Sequence, residues 1–362
     1  MQYHRIIILL LILCSTIAGF AQTDSIVERK LPFTKRVVKA LYGFVKEFSQ
    51  VDTNYVEPQH YNYTLMLQNT NTYEIYRLKN EKGTAIKFAP EPSIKLGPYV
   101  GWRWIFLGYT LDLNHLRSDN KKKELDLSLY SSQIGIDLFY RQTGDDYKIR
   151  SFYVDGDIDT HPLKNVKYDG LNVSIKGFNL YYIFNHRRFS YPAAFSQSTV
   201  QRRSCGSPLI GIGYTKHKLN VDWTKLNDIV ASKLGEDVVD EYMNSEQTNA
   251  HIRYVDFSVS GGYAYNWVFA HNWLFAASVS MALGYKKTTG DARSNHFSLR
   301  DFSVHNFNLD GVGRFGFVWN NTKWYFGANT ILHSYNYSKD KFSTNNFFGS
   351  VNIYVGFNFD RR

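Results

Sequence analysis

The chain has few cysteines and, after its first residues, no long apolar run. Its 362 residues include only two cysteines, Cys14 and Cys205. A helix needs about 20 consecutive apolar residues to cross a membrane, and no run of that length follows the N-terminus, so helical membrane spans are excluded. If Cys14 is lost with an export signal, one thiol remains, and no disulfide within the chain can stabilise the fold.

The N-terminus has the pattern of a secretory signal peptide. A short basic start ending at Arg5 precedes the apolar stretch Ile6–Leu13 and small residues at Gly19 and Ala21. This order is typical of a cleaved signal, and we place the cleavage after Ala21. An N-terminal membrane anchor is the alternative. Cys14 does not fit a lipid-anchored cysteine, because a large residue precedes it.

The predicted export and the charge narrow the choice of partners. Without residues 1–21 the chain carries 41 basic and 32 acidic side chains, a net charge of +9. A positive charge on an exported protein suits contact with anionic lipid or small anionic solutes. Nucleic acid is excluded as a partner, because the protein leaves the cytoplasm. We expect no cofactor.

Apolar and polar side chains alternate in long segments. In Ser350–Phe359 the apolar residues fall on one face of a strand and the asparagines on the other. Trp273–Leu283 shows the same pattern, with small residues opposite the large ones. Aromatic residues make up 17% of the chain. Alternating strands and abundant aromatics are typical of a transmembrane β-barrel with aromatic girdles. A soluble β-sandwich is the alternative, but its strands are usually only about 5–6 residues long.

We therefore predict an all-β fold, a single antiparallel barrel of about twelve strands, in residues 61–362. Residues 22–60 form a periplasmic segment, in which an apolar stripe between Phe33 and Phe48 recurs every three or four positions and predicts a basic amphipathic helix. The expected strands cover about 62–77, 84–100, 102–115, 123–141, 146–154, 171–187, 204–221, 251–268, 272–287, 304–319, 322–337 and 346–360.

The connections alternate in length, as periplasmic turns and longer extracellular loops do. The short ones are Gly101, Gln142–Asp146, Ala270–His271 and Asn320–Asn321. Residues 188–203 break this pattern, and we expect them to fold into the lumen or cap the periplasmic mouth. Four tryptophans beside the short turns predict an aromatic belt at one interface: Trp267, Trp273, Trp319 and Trp324.

Three residues near the anomalous connection are the only candidates for catalysis. Ser204, Ser207 and His186 provide the residue types of a membrane-embedded lipid acyl hydrolase. No nucleophile-elbow spacing marks either serine, and a serine beside glycine and proline is more often a turn residue.

Two charged groups are candidate binding residues. Four arginines bracket the anomalous connection, and they either line a positive constriction or face lipid phosphates at the periplasmic side: Arg187, Arg188, Arg202 and Arg203. Asp155, Asp157 and Asp159 have the alternate spacing of calcium ligands. The positions that would complete an EF-hand loop are Thr160 and Val166, so we favour a solvated turn.

The largest outer connection contains a short helix. Asp222 is placed to cap it, and Gly235 to end it. An apolar stripe lies between them: Leu226, Ile229, Val230 and Leu234. The helix either covers the mouth of the barrel or packs on its rim.

Four segments together resemble a known family. They are Asp52–Pro58, Phe88–Trp104, Gly177–Arg188 and Ser204–Pro208, and they resemble the family called domain of unknown function 4421, found mainly in Bacteroides-type Gram-negative bacteria. The resemblance spans about residues 50–360. It implies an outer-membrane setting and supplies no catalytic motif.

The end of the chain resembles a signal for the barrel-assembly machinery. Phe357 and Phe359 are spaced as in such signals, although Asp360–Arg362 follow the last aromatic residue. We therefore expect assembly in the lipid of a Gram-negative outer membrane.

For function, we expect a non-enzymatic porin-like barrel that is a narrow or plugged channel or an envelope component. A lipid acyl hydrolase and a surface scaffold that binds a partner through its outer loops are the alternatives.

Overall fold

A computed structural model describes most of the chain after residue 50. The described residues are 51–80, 82–102, 105–108, 111–113, 122–144, 146–243, 250–288, 307–339 and 342–361. The predicted signal peptide and the amphipathic helix between Phe33 and Phe48 lie outside them. In the described part, no helix is long and apolar enough to cross a membrane.

The described residues form seventeen strands, numbered here along the chain. They are β1 (Val56–Pro58), β2 (Tyr61–Asn80), β3 (Ala85–Ala89), β4 (Ser93–Trp102), β5 (Ile105–Gly108), β6 (Leu111–Asp112), β7 (Lys123–Tyr130), β8 (Ile134–Gln142), β9 (Lys148–Tyr153), β10 (Leu171–Ile183), β11 (Thr199–Gln201), β12 (Cys205–Val221), β13 (Ala250–Ala270), β14 (Trp273–Thr288), β15 (Phe307–Asn320), β16 (Trp324–Lys339) and β17 (Phe342–Arg361).

Twelve of the described strands form one curled antiparallel sheet. Their order is β5-β4-β2-β17-β16-β15-β14-β13-β12-β10-β8-β7. β3 and β9 extend the sheet beside β2, β6 pairs with β4, and β1 pairs separately with β11. The helical elements are a 3-10 helix (His161–Leu163), α1 (Pro192–Phe195), α2 (Trp223–Leu234) and α3 (Glu236–Tyr242).

The outward side of the sheet is apolar. Successive side chains of a strand point to opposite faces, and here one face is buried and the other carries large apolar side chains. Six of these, from six strands, are 51–61% exposed: Leu65, Val100, Ile212, Val259, Met281 and Ile353. Soluble proteins rarely expose apolar surface on this scale, so the outward side suits contact with lipid.

The two ends of the sheet differ. We call the end with the tight β13–β14 and β15–β16 connections the turn end, and the opposite end the loop end. All four tryptophans of the predicted belt lie near the turn end, and Trp273 and Trp319 are paired across β14 and β15. The last residues of β17 pair with the first residues of β2 at the same end.

The main path of the described sheet has twelve strands, as predicted. The number agrees because two errors cancel: one predicted strand is a hairpin of two strands, and another does not belong to the path. Residues 123–141 were expected to form one strand and instead form the hairpin β7–β8. Ser131 makes the turn, because its hydroxyl both accepts from Ile134 N at 2.9 Å and donates to Ile134 O at 3.0 Å. No glycine, proline or asparagine marks this turn in the sequence.

The expectation of a barrel strand at 146–154 is wrong. β9 pairs with β3 rather than with a neighbour in the twelve-strand path. The predicted strand 84–100 is also interrupted, since Pro90 and Pro92 have no N–H group to continue a ladder. The link Gln142–Asp146, expected at the periplasmic turns, lies at the loop end, where Thr143 N donates to Val173 O at 2.9 Å.

Replacing Thr322 by glycine should stabilise the protein. Thr322 lies in the β15–β16 turn with a φ of 76°, a conformation that costs a β-branched residue about 1–3 kcal/mol. We expect Thr322→Gly to raise the free energy of unfolding by about 1 kcal/mol, measured by urea titration of the refolded protein. Thr330→Gly, in the middle of β16, should lower it by about 0.5–1 kcal/mol. Equal destabilisation by both changes would contradict the assignment of strain.

Candidate functional site

An ion pair crosses the inside of the curled sheet. Arg314 on β15 bonds to Asp137 on β8, and four strands separate β15 from β8 in the sheet order. Both side chains are almost completely buried. The guanidinium of Arg314 also lies 4.9 Å from the ring centroid of Tyr181 on β10. Because a buried charge without a partner is very costly, this pair fixes the separation of two opposite walls.

A second buried cluster joins β8 to β2. Arg141 Nη1 donates to Glu74 Oε1 at 3.1 Å and Nη2 donates to Asp126 Oδ2 at 2.5 Å. The Tyr147 hydroxyl donates to Glu74 Oε2 at 2.5 Å. Burial and, after it, the Glu74 carboxylate raise the pKa of Tyr147 well above its ordinary value. The phenol therefore stays protonated and remains a donor to Glu74.

Side chains from the two ends of the strand path also meet. Lys95 of β4 contacts Glu124 of β7, and Lys122 Nζ lies 2.7 Å from Glu124 Oε1. β4 and β7 stand at or next to opposite ends of the strand order. The sheet therefore curls until inward side chains of its two ends are in contact.

The third cluster lies within neighbouring strands β14, β15 and β16. Lys286 Nζ is 3.1 Å from Asp310 Oδ1, and the same oxygen accepts from Asn336 N at 2.9 Å. Lys286 and Asp310 are buried. The inward face of the sheet is thus rich in charge, and these charges are compensated by partners inside the molecule.

The connection between β10 and β12, residues 184–204, folds against this inward face, and we call it the plug loop. The Tyr191 hydroxyl lies 2.5 Å from Ser278 Oγ on β14. Its ring packs against Tyr130 of β7 and Tyr181 of β10, with centroid distances of 5.7 and 5.6 Å. One buried tyrosine of the plug loop therefore contacts three strands of the sheet.

The tip of the plug loop reaches the opposite wall. Gln197 Nε2 donates to the Tyr354 hydroxyl on β17. Ala194 in α1 is completely buried in one apolar cluster with Leu274 and Val318. The prediction that this connection folds into the interior is consistent with these contacts, and the short apolar helix α1 provides the packing surface.

A second chain segment holds the plug loop from outside the sheet. Residues 52–58, which we call the latch segment, contain β1 and pair with β11 of the plug loop from Val56–Gln201 to Pro58–Thr199. Arg202 N donates to Tyr55 O at 2.7 Å. Val56 is fully buried. The plug loop therefore contributes β11 to a two-stranded sheet. The other strand, β1, belongs to the latch segment, which precedes β2.

Charged side chains reinforce the latch segment. Glu57 forms an ion pair with Arg202, and Asp52 Oδ2 lies 3.6 Å from Arg188 Nε. The guanidinium groups of Arg188 and Arg203 lie 5.1 and 5.7 Å from the ring centroid of Tyr55. Tyr55 is thus held between two cations, at a distance typical of cation–π contacts.

An apolar layer covers the loop end. We call the elements β3, β9, the 3-10 helix, α2 and α3 the lid. Phe88 of β3, Phe152 of β9 and Trp223 of α2 belong to one buried cluster with the inward-facing side chains Phe139 and Phe348 of the sheet. The lid therefore continues the core of the sheet.

The helix predicted in this connection is confirmed as α2. Asp222 Oδ1 accepts from Lys225 N at 3.0 Å, which caps the first turn. Gly235 ends the helix with a φ of 104°, a conformation that favours glycine. Its apolar stripe joins the lid cluster through Leu226 and Val230.

A small cavity lies beside the interior charges. It has a volume of about 30 Å³ and is lined by side chains that include Asp137, Arg141 and His333. A cavity of this size can hold a water molecule.

The structure does not bring the candidate catalytic residues together. Ser207 is fully buried; its Oγ accepts from Asn185 N at 2.9 Å and donates to Pro208 O at 2.8 Å. Ser204 Oγ accepts from Val268 N at 2.9 Å. His186 lies instead 3.2 Å from Gln133 Nε2. The hydroxyl groups of Ser204 and Ser207 therefore form hydrogen bonds with backbone groups at the turn end.

The four arginines lie around the latch segment. Arg187, Arg188 and Arg203 are exposed and Arg202 is half-buried. Two of them flank the Tyr55 ring, as described above. Their positions favour the outward-facing alternative over a positive constriction in the interior.

The three candidate calcium ligands are exposed in a loop of the loop end. Asp159 Oδ1 accepts from His161 N at 2.9 Å, a local bond that stabilises the turn before the 3-10 helix. Among the described residues, no group of three or more histidine, cysteine or carboxylate side chains is placed to hold a metal ion.

Sequence reasoning missed the interior charges. Asp137 and Arg141 share the inward face of β8 with Phe139, while Ile136 and Leu138 face outward. A charge in the middle of a strand with an apolar outward face indicates an inward-pointing group. That signal is present in the sequence, but the partner across the interior is not.

With the interior described, the family can be stated. The model of the family Domain of unknown function (DUF4421) matches residues 50–359. The chain belongs to this family. The match covers every strand of the sheet except the last two residues of β17, and the resemblance noted in the sequence is confirmed. No curated protein matches the chain.

Several solved structures are similar over most of their length. The toluene transporter TodX of P. putida is 8% identical, with 83% of this chain and 91% of that chain covered and a TM-score of 0.23. The translocator domain of the autotransporter NalP from Neisseria meningitidis is 8% identical, with 90% and 96% covered and a TM-score of 0.31. The transport unit of the autotransporter AIDA-I from Escherichia coli is 9% identical, with 83% and 90% covered and a TM-score of 0.30. At these scores, membrane setting and function have to be inferred from the geometry of the chain.

Breaking the Arg314–Asp137 pair should destabilise the protein strongly. We expect Asp137→Asn and Arg314→Met each to lower the free energy of unfolding by about 3–5 kcal/mol, because each leaves the other group buried without its partner. The double variant Asp137→Asn/Arg314→Met should lose less than the sum of the two single changes. Denaturant unfolding of the refolded protein in detergent, followed by tryptophan fluorescence, measures all three.

An exposed pair provides the control for this cycle. Lys148 Nζ lies 2.7 Å from Glu91 Oε1, with both side chains partly exposed. Removing either partner should change the free energy of unfolding by less than about 1 kcal/mol. Additive losses at Asp137 and Arg314 would show that the two residues do not act as a pair.

Proposed function

We propose that this protein is a non-enzymatic β-barrel of the outer membrane that is closed at rest. The observation that carries the proposal is the plug loop, which crosses the interior from Tyr191 beside Ser278 to Gln197 beside Tyr354. The ion pair between Arg314 and Asp137 spans the interior close to it. A barrel with these contacts is an envelope component or a channel that opens only when the plug loop moves.

Three features support the membrane setting. The outward side chains are apolar along the strands, tryptophans gather near one end, and the ends of β2 and β17 meet at that same end. This is the pattern of a bacterial barrel with short periplasmic turns and longer outer loops. We therefore place the turn end and the plug loop at the periplasm, and the lid outside. An exported chain, as the N-terminal pattern predicts, reaches this location.

The geometry favours closure over solute passage or catalysis. Arg188 and Arg203 flank Tyr55 outside the sheet, so they do not provide the interior with a site for small anions. The hydroxyl groups of Ser204 and Ser207 are engaged by backbone groups, so neither is supplied with a base. The proposal accordingly assigns the plug loop a blocking role and no reaction.

Removing the plug loop should open the barrel. Gln201 Nε2 donates to Arg188 O at 2.6 Å and to Arg203 O at 3.0 Å, so the ends of residues 189–201 are close and a short Gly-Ser linker can replace them. In a planar bilayer, we expect the intact chain without residues 1–21 to be silent. Because the lid still covers the loop end of the variant, opening is tested from the turn end: in a Cys205→Ser background, a water-soluble thiol reagent should label a cysteine at the buried position Ser278 quickly in the variant and slowly in the intact chain. The reason is that the variant lacks the side chains that fill the turn end.

A locked plug loop provides the matched control. A Cβ atom placed on Gly316 would lie 3.5 Å from the Cβ of Ala194, within the range for a disulfide. The oxidised Ala194→Cys/Gly316→Cys variant, in a Cys205→Ser background, should stay silent under all voltages that leave the bilayer intact. Steady conductance of the intact or locked protein would contradict the proposal, as would slow labelling of Ser278→Cys in a folded deletion variant.

Charge reversal in the latch segment should loosen the plug loop. Glu57→Arg replaces the ion pair with Arg202 by repulsion, in a region that already holds several arginines. We expect a water-soluble thiol reagent to label a cysteine at Ala194 about five- to tenfold faster, which corresponds to about 1 kcal/mol of easier opening. The swap Glu57→Arg/Arg202→Glu should restore most of the protection.

A distant charge reversal controls for the change in net charge. Asp157→Arg is an exposed substitution in a loop of the loop end with the same change in charge, and it should leave the labelling rate unchanged. Equal labelling of the Glu57→Arg protein and its parent would show that the latch segment does not restrain the plug loop.

A further inference from the structure

One region of the apolar outward surface carries amides. Asn69 and Asn71 lie in the middle of β2, on the side that presents Leu65, Leu67 and Tyr73 to the outside. β14 shows the contrast, because its outward positions from Trp273 to Leu283 carry no polar side chain. An amide that faces lipid is costly unless its hydrogen-bonding groups find partners.

The hydrogen bonds of the two side-chain amides use only some of their donor and acceptor groups. Asn71 Nδ2 donates to Asn69 Oδ1 at 2.7 Å, and Asn69 Nδ2 donates to Lys95 O at 3.2 Å. A carboxamide has two N–H hydrogens and a carbonyl oxygen. Among the described residues, one N–H and the carbonyl oxygen of the Asn71 side chain have no further hydrogen-bond partner, so both are available to a partner outside the molecule.

A hollow lies beside these amides. It has a volume of about 470 Å³ and crosses the outward surface from β4 to β15, between large side chains such as Leu67, Leu96 and Phe326. Its floor includes Ala328, which stands in one row with Ile353 and Asn69 across β16, β17 and β2. Small residues and polar groups together are what allow protein surfaces to pack closely within a membrane.

We propose that this surface is the contact between two copies of the protein in the membrane. The inference rests on the proposed membrane setting but not on the plug loop. An acyl chain would fill the hollow and leave the Asn71 amide without a partner. A second copy satisfies it, because an amide carries both a donor and an acceptor and is complementary to itself. A twofold axis along the membrane normal places β2, β17 and β16 of the two copies face to face.

The hollow and the side chains beside it are complementary in the same arrangement. Leu65 and Leu67 are about half exposed and stand next to the hollow on β2, so a twofold axis lets these side chains of each copy enter the hollow of the other. Apolar packing supplies the area of the contact, and the paired amides of Asn71 set its register.

Sedimentation equilibrium of the refolded chain in detergent tests the proposal. We expect a dimer for the natural sequence, about tenfold weaker association for Asn71→Leu, and a monomer for Ala328→Trp, which fills the hollow. Asn71→Gln keeps the amide and should associate more strongly than Asn71→Leu. The matched control is Ala277→Trp, the same change at an outward position of β14 outside the hollow, and it should remain a dimer.

Cross-linking in bilayers gives a second readout. In a Cys205→Ser background, Val351→Cys places a thiol on β17 between Asn71 of β2 and Thr330 of β16, in the same cross-strand row. A short bis-maleimide should join two copies in phosphatidylethanolamine and phosphatidylglycerol vesicles, and Ala328→Trp should abolish the product. Cross-linking in cell envelopes to a protein of another mass would replace the second copy by a different partner and overturn the proposal.

The outcome separates this inference from the proposed function. A heat-modifiable gel shift reports whether the barrel has folded into the membrane. If the folded protein floats with vesicles but is a monomer at every protein-to-detergent ratio, the contact proposal is wrong and the closed barrel stands. If the protein does not enter the bilayer, the membrane setting itself is wrong. A dimer whose stability falls equally in Ala277→Trp and Ala328→Trp would also refute the hollow as its site.

Discussion

The inward face of the sheet carries charges that have to be paired inside the molecule, and the other features depend on this constraint. The outward side is mostly apolar and lies on the opposite face of the strands, so these charges find their partners inside. Arg314 therefore reaches Asp137 across the interior, and Arg141 reaches Glu74 on a strand far away in the sheet order. These pairs connect strands that are distant in the sheet order. Because separating the partners would leave buried charges unpaired, the pairs hold the curled sheet at a fixed curvature.

Plug loop, lid and latch segment follow from the same need to exclude water from the interior. The plug loop brings Tyr191 beside the ring of Tyr181, which lies under the guanidinium of Arg314, so it limits access of solvent to the central ion pair from the turn end. The lid does so from the loop end with an apolar cluster. The latch segment pairs with β11 and forms ion pairs with Arg188 and Arg202 of the plug loop, which makes it a place from which plug-loop movement could be controlled. Closure is thus built from three parts of the chain that are distant in sequence.

Much of the sheet was predictable because alternation is a local property. β12 to β17 were found within a few residues, since each has a continuous apolar face and tight polar turns. The errors fell where local signals mislead. The turn at Ser131 uses a hydroxyl in place of glycine or asparagine, and residues 148–153 alternate like a barrel strand but pair with β3. The candidate sites fared less well, because Ser207 and the four arginines were chosen by residue type, and what they do depends on neighbours such as Asn185 and Tyr55.

By itself the sequence determined the strands, the apolar outward face, the cap and end of α2 and the membership of the family, because each depends on residues close together in the chain or on motifs of fixed spacing. Only the tertiary structure decided which charges pair, where the plug loop lies, and that residues 52–58 hold it. The contacts across the interior and to the latch segment join positions more than a hundred residues apart, such as Asp137 with Arg314 and Glu57 with Arg202. The alternation of apolar and polar residues along a strand predicts that such side chains point inward. Which of them come into contact is determined by the curl of the sheet.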